Sequence, residues 1–153
     1  MVQTTGRLSD GKPIIDVVIV DSVGQSVDPL PYHSIPTIPV RPFRALIDTG
    51  ASISCVCKHV AISMNLRPYG RIPMIGSTGQ SYHRTFIITL GLMCGGNDSI
   101  ETGSAPSSLF QIEPGEVAEI ENNSWFDLII GTDILTRFTF TLHKGGDFKL
   151  DLS

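Results

Sequence analysis

The residues best suited to chemistry in this chain are Asp48, Thr49 and Gly50, which directly follow the apolar stretch 43–47. A strand over that stretch would present one carboxylate at its end, on a turn tight enough to need glycine. A carboxylate held in this way can act as a general acid or base toward water. The triplet occurs once, so a mechanism that needs two such carboxylates needs two chains. The non-catalytic alternative is an Asx turn, in which Asp48 hydrogen-bonds its own backbone.

The composition predicts a single domain, over residues 1–153, that folds mainly into strands. The chain is long enough to bury a core, and its 15 Gly, 10 Pro and many Val, Ile and Thr residues favour strands with frequent turns. A net charge of −4 at pH 7 offers no basic patch, which argues against nucleic-acid binding. No apolar run is long enough to span a bilayer, and the first residues do not resemble a secretory signal, so we expect a cytoplasmic protein.

Neither the cysteines nor the histidines follow the pattern of a metal, cofactor or nucleophile site. The spacing of Cys55 and Cys57 fits neither a zinc knuckle nor a redox pair, so we expect these thiols and Cys94 to be reduced and partly buried. The histidines are scattered without the i, i+4 spacing of a metal pair, at His33, His59, His83 and His143. The sequence therefore predicts no metal and no cofactor, and a cysteine protease has little support.

Hydrophobic periodicity predicts the elements that would position Asp48. Strands are expected at 14–20, 43–47, 126–130, 139–143 and 148–152, with a further one at 117–121. Short helices are expected over 56–66, with Ser52 or Ser54 as N-cap, and over 132–138. Arms at 71–75 and 81–90 around a tip at 76–80, longer than a minimal turn, predict a hairpin. The Pro-rich segment 28–42 and the Gly- and Ser-rich segment 95–108 are expected to be loops. The prediction is an all-β fold with one or two short helices.

Three parts of the chain, taken in order, resemble the retropepsin-like aspartic proteases. They are Arg-Ala-Leu-Ile-Asp-Thr-Gly-Ala-Ser at 44–52, the hairpin with its tip at 76–80, and Leu-Ile-Ile-Gly-Thr-Asp-Ile-Leu at 128–135. The resemblance implies an acid protease barrel with one lobe per chain, active as a homodimer. It also implies an aspartic endopeptidase that hydrolyses a peptide or protein substrate. The attacking water would be activated between two Asp48 carboxylates, one from each subunit.

The resemblance assigns further roles by position. Thr49 would tie the two active-site loops together, and Gly50 would admit close approach of the backbone. Ala51 and Ser52 would line the floor of the cleft. The flap over the cleft would bind substrate through Ile75, Gly76, Ser77, Thr78, Gly79 and Gln80. Ile129 and Ile130 would pack beneath the Asp48 loop, with Gly131 giving room at the turn.

The chain departs from the viral members of this family in one pairing. Those members often carry Arg after the glycine of the second motif, where it pairs with an acidic residue just past the catalytic triplet. Here Thr132 and Ser52 occupy the two places, so the ion pair is absent. Our hypothesis is that Asp133 pairs instead with Arg44 or with another base.

The chain ends suggest how two copies would meet. Residues 148–152 alternate apolar and polar side chains, which predicts an edge strand at the end of the chain. Residues 2–8 could pair with this strand or with its symmetry mate, so we expect the homodimer to depend on it.

Two other functions are compatible with the same residues. The chain could be a catalytically silent module that binds peptides or dimerises, because fold does not guarantee function. It could also be a self-processing domain of a larger precursor. The intact Asp48, Thr49 and Gly50 favour the enzyme.

Overall fold

The computed structural model describes residues 2–20, 41–94 and 108–153, which form ten strands and two short helices. The strands are β1 (Gln3–Arg7), β2 (Ile14–Val20), β3 (Phe43–Ile47), β4 (Cys55–Cys57), β5 (Gly70–Gly76), β6 (Gly79–Cys94), β7 (Ser108–Ile120), β8 (Leu128–Ile130), β9 (Thr139–Leu142) and β10 (Asp147–Asp151). The helices are α1 (Lys58–Ser63) and α2 (Thr132–Leu135). The all-β prediction with one or two short helices is therefore confirmed. The loops predicted at 28–42 and 95–108 lie mostly outside the described residues.

The main sheet has seven strands and closes on itself. Its order is β2-β3-β8-β4-β7-β6-β5, and β2 also pairs with β6. This extra pairing joins six strands in a ring and leaves β5 outside it, bonded only to β6. The interior of the ring is apolar because alternate residues of each strand point inward, as Phe43, Ala45 and Ile47 of β3 do.

A second sheet, of order β1-β10-β9, corrects the prediction for the chain end. The strand predicted at 148–152 is not an edge strand, since β1 and β9 both pair with it in the same chain. Phe148 and Leu150 are buried on its inner face, and the Phe148 ring lies over Gly6, where a Cβ atom would be 2.5 Å from it. Burial of these two side chains on one face fixes the register of β10 in the sheet.

The first predicted helix is shorter and begins later than expected. Val56 belongs to β4, and Cys57 is the N-cap of α1, with no side-chain capping bond. Neither Ser52 nor Ser54 caps the helix, because the hydroxyl of Ser54 is bonded elsewhere. The apolar spacing that indicated one helix arises from a buried three-residue strand followed by a short helix, and Ile62 is 76% exposed.

The hairpin predicted around 76–80 is formed by β5 and β6. Its last strand pair is Gly76 with Gly79, so the turn has two residues and is shorter than predicted. Gly79 has φ +121°, a conformation that residues with a side chain rarely adopt.

Strand β7, which pairs with β6 on the side away from β5, was only partly predicted. β7 begins at Ser108, so this residue belongs to a strand and not to the predicted loop, and the strand expected at 117–121 is only its end. Pairing with β6 shifts register between Ile88 and Leu90, opposite Gly115 and Ile112. The sequence signal is weak here because Pro114 and Gly115 interrupt the alternation that strand prediction relies on.

The C-terminal elements follow the prediction with shorter bounds. β8 starts at Leu128, since Asn123 Oδ1 accepts hydrogen bonds from the backbone N–H groups of Trp125 and Phe126 and holds them in a turn. α2 ends at Leu135, and the strand, turn and strand predicted at 139–152 are β9, a turn and β10. No helix among the described residues is long and apolar enough to cross a membrane.

Candidate active site

Two parallel strands bring the Asp48 loop and the Gly131 loop together. β3 and β8 pair in register, with Leu46 opposite Ile129 and Ile47 opposite Ile130. The pairing continues one step beyond the strands, because the backbone N–H of Asp48 donates to the Ile130 carbonyl oxygen at 2.9 Å. Parallel strands end at the same edge of a sheet, so both loops leave the barrel side by side.

The Asp48 carboxylate is held by its own loop. Its Oδ1 accepts a hydrogen bond from the backbone N–H of Gly50 at 2.9 Å, and the Asp48 carbonyl oxygen accepts one from Ala51 N–H at 3.2 Å. A Cβ atom on Gly50 would lie 3.2 Å from Oδ1 and crowd it. The Asx turn proposed as the non-catalytic alternative is therefore present, and it also fixes the orientation of a half-buried carboxylate.

The second loop anchors the first through Ala51. The backbone N–H of Thr132 donates to the Ala51 carbonyl oxygen at 2.8 Å, and the Thr132 hydroxyl donates to the same oxygen at 3.3 Å. A Cβ atom on Gly131 would lie 2.6 Å from this oxygen, so only glycine fits between the loops. The Ala51 carbonyl is thus engaged within the chain, whereas Thr49, Gly50 and Ser52 are exposed. Ile129 is half-buried, and Ile130 and Gly131 are buried beneath the loop.

Ser54 and Asp133 form a connection that the sequence did not reveal. Asp133 accepts from Ser54 N–H at 3.0 Å and from the Ser54 hydroxyl at 2.7 Å, while Ser54 Oγ accepts from Gly131 N–H at 2.9 Å. The hypothesis that Asp133 pairs with Arg44 is wrong, because its partner is Ser54. The backbone N–H of Arg44 donates instead to Asp127 Oδ2 at 2.8 Å. The available sequence signal was a carboxylate in the first turn of a predicted helix.

The cysteines near the loop are poor nucleophiles. Burial, with the nearby charge of Asp133, raises the pKa of the Cys55 thiol to about 12, and burial also raises the pKa of Cys57. A nucleophilic cysteine needs a lowered pKa, so the local electrostatics oppose a cysteine protease. All three cysteines are buried thiols, as the sequence indicated.

Two of the histidines, His59 and His83, make structural contacts. His59 lies between Asn122 Oδ1, at 2.9 Å from Nδ1, and Asp127 Oδ1, at 2.7 Å from Nε2. His83 lies between Ser81 and the Glu119 carbonyl. Within residues 2–20, 41–94 and 108–153, no three histidine, cysteine or acidic residues cluster so that they could hold a metal ion.

The hairpin of β5 and β6 exposes the residues assigned to the flap. Ile75 is 87% exposed, and no atom lies within 4 Å of a Cβ atom built on Gly76 or Gly79. The remaining residues assigned to the flap, Ser77, Thr78 and Gln80, are exposed as well. The tip is thus open to contact with another molecule.

Comparison with known proteins identifies the architecture. A retropepsin-like aspartic protease from Rickettsia conorii aligns with 97% of this chain and 92% of its own, with a TM-score of 0.52 and 16% sequence identity. This chain has the retropepsin-like fold. No family model matches the sequence, and no curated protein matches it. The retropepsin-like fold predicted from the three sequence parts is confirmed, and the loops at Asp48 and Gly131 stand on its paired strands β3 and β8.

Proposed function

We propose that this protein is an aspartic endopeptidase that acts as a homodimer. The observation that carries the proposal is the Asp48 loop: a carboxylate at the end of β3, oriented by Gly50 N–H and anchored to the second loop at Ile130. Such preorganisation suits a group that must hold a reacting water in place. The retropepsin-like fold supports the same reaction class.

Two Asp48 carboxylates, one from each subunit, would act as general base and general acid. At about 3 Å apart two carboxylates cannot both ionise, so the pair holds one shared proton. The ionised Asp48 takes a proton from a bridging water as the water oxygen attacks the peptide carbonyl carbon. The protonated Asp48 donates to the carbonyl oxygen, which gives a tetrahedral diol. Proton transfer to the amide nitrogen then breaks the C–N bond and releases amine and acid.

One chain supplies one half of this pair. The loop contains a single carboxylate, and its outer residues Thr49 and Gly50 are exposed, where a second copy can approach. A two-fold axis beside the loop would bring Asp48 to Asp48 of the partner subunit, as an isologous dimer requires.

The edge of β9 is the surface we assign to this dimer. β9 pairs with β10 on one side only, and its sequence Thr-Phe-Thr-Leu carries no charge, proline or glycine to protect the open side. Leu142 is 56% exposed although it lies on the same face as buried Phe148. A second β9, running antiparallel, would pair with the open edge and cover Leu142.

The substrate class follows from the open hairpin. The backbone of an extended peptide can hydrogen-bond the exposed backbone of the loop and the hairpin. Ile75 presents an apolar side chain at the hairpin tip. We therefore expect cleavage of unfolded or extended peptide segments with apolar side chains near the scissile bond.

The test is a mixing experiment with Asp48→Asn, which keeps the shape of the side chain but cannot ionise. Wild-type protein should cleave a mixed peptide library at acidic pH, and Asp48→Asn alone should not. Titrating the inactive variant into a fixed amount of wild type should suppress cleavage, because mixed dimers contain one ionisable carboxylate. Activity that is insensitive to the added variant would contradict a shared site. Equal cleavage by the wild type and the variant would remove Asp48 from the mechanism.

A further inference from the structure

Among the charged residues in the described part of the chain, Glu119 alone is buried. It lies near the end of β7 and is 7% exposed. Its Oε2 accepts from Arg84 Nη2 at 2.8 Å, and its Oε1 lies 3.4 Å from Arg84 Nε. Burying a carboxylate is costly, and even an ion pair repays that cost only in part. The Glu119–Arg84 pair therefore calls for a reason other than stability.

The ion pair stands where the hairpin leaves the barrel. β6 pairs with β7 only from Thr85 onward, where Thr85 lies opposite Ala118. Residues 79–84 of β6 pair with β5 alone, and β5 is the last strand of the sheet. The hairpin is therefore a two-stranded arm, and such an arm is marginally stable without further contacts.

A second contact joins the same arm to the same residue. His83 Nδ1 lies 2.6 Å from the Glu119 carbonyl oxygen, which only accepts, so Nδ1 carries the hydrogen. His83 Nε2 lies 2.7 Å from Ser81 Oγ. A hydroxyl can donate or accept, so Ser81 can satisfy Nε2 whether or not that nitrogen carries hydrogen. Both ring nitrogens of His83 are thus engaged, one with Ser81 in the arm and the other with the backbone of Glu119.

We propose that Glu119, Arg84 and His83 form a root clamp that sets the position and freedom of the hairpin, and that Glu119 is a positioning residue for substrate binding. The clamp rests on the proposed function for its consequence, since the hairpin is the element assigned to cover the substrate. The clamp lies at the base of the hairpin, so a small change in the angle between hairpin and barrel becomes a large displacement of the tip at Ile75. Loosening the clamp lowers the fraction of molecules with the hairpin in its binding position, which weakens apparent affinity by the same factor.

The test compares two variants by native-state hydrogen exchange, in an Asp48→Asn background so that self-cleavage cannot interfere. The double variant Arg84→Met with Glu119→Met removes both charges together, so that the ion pair is lost without leaving an unpaired charge buried. The matched control is Arg71→Met. Arg71 lies directly opposite Arg84 on β5, so the control removes a positive charge from the same arm without touching Glu119.

We expect amides of residues 79–84 to exchange about tenfold faster in the double variant, as for the loss of a charged hydrogen bond, with β2 and β3 unchanged. Arg71→Met should leave exchange as in the wild type. Equal exchange in all three proteins would overturn the clamp, and so would an equal rise in both variants.

Kinetics on the active background separate the clamp from the proposed function. With Asp48 intact, the double variant should raise KM about tenfold while kcat stays within about twofold of the wild type. A fall in kcat at unchanged KM would overturn the positioning role. If the wild type cleaves nothing, the proposed function fails, and the exchange experiment still decides whether the clamp exists.

Discussion

Replacing Asp133 by alanine should destabilise the protein by about 3 kcal/mol in the free energy of unfolding. The variant loses two hydrogen bonds from Ser54 to a carboxylate, at 3.0 and 2.7 Å. Hydrogen bonds to charged groups contribute about 1.5–3 kcal/mol each, and the lower value applies here because Asp133 is itself exposed. The buried Ser54 N–H is left without that acceptor, which keeps the cost from falling much below this figure.

The assay is urea unfolding in the Asp48→Asn background, which prevents self-cleavage. All variants are measured at one protein concentration, because the proposed dimerisation would make apparent stability depend on concentration. Arg44→Ala is the control, because sequence reasoning named Arg44 as the partner of Asp133. Its side chain is exposed, and its hydrogen bonds to Asp127 are made by the backbone N–H and carbonyl, so we expect a change within about 0.5 kcal/mol.

A double-mutant cycle sharpens the result. Ser54→Ala removes the hydroxyl that links Asp133 to Gly131 N–H. Because both substitutions break the same bond, the double variant should cost at least about 1 kcal/mol less than the sum of the two single variants. Additive costs would refute the connection, as would equal midpoints for Asp133→Ala and Arg44→Ala.

Three further predictions test other parts of the fold. Gly131→Ala should lower the melting temperature and abolish cleavage, since its Cβ atom would lie 2.6 Å from the Ala51 carbonyl oxygen; Gly76→Ala, with nothing within 4 Å, should remain as stable as the wild type. Leu142→Lys should remain folded but sediment as a monomer under conditions where we expect the wild type to be a dimer, and a dimeric variant would count against the β9 interface. Burial raises the pKa of Cys55 from 9.0 to about 12, so above pH 9 the unfolded chain loses this proton first and the folded state loses stability. Under reducing conditions Cys55→Ala should show a fall in stability between pH 9 and 12 that is shallower by about 1.4 kcal/mol per pH unit, and identical slopes would exclude the effect.

Local patterns were enough to predict most strands and the hairpin. The β-branched run at 14–20 and the apolar run at 43–47 became β2 and β3 without change of bounds. Glycines at 76 and 79 marked the turn because the last strand pair joins them, and Gly79 needs a positive φ. These features depend on residues close together in the chain, which is why periodicity and turn chemistry recover them.

Features that depend on distant residues were predicted only in part. The strand predicted at 148–152 was expected at an edge, with residues 2–8 as one possible partner. β1 does pair with it in the same chain, but nothing in the pattern of 148–152 shows that β9 occupies the other side. Ser54 was expected to cap a helix because its side chain suits that role, but Asp133, 79 residues away, binds it. A hydroxyl has several possible partners, and only the packing of β3 against β8 selects among them.

The hydrogen bonds of the Asp48 loop bear on how two chains would assemble. Hydrogen bonds to Gly50, Ile130, Thr132 and Ser54 of its own chain shape the Asp48 loop and the residues that follow it. We therefore expect each loop to take its shape before dimerisation, whereas the proposed chemistry needs a second carboxylate. Dimerisation should then join two preformed halves with little ordering entropy to overcome at the loops, so that the strength of the β9 interface governs activity at low protein concentration. Cleavage per subunit should accordingly rise with protein concentration and level off once the dimer is fully formed, with no slow phase of loop refolding after dilution and reconcentration.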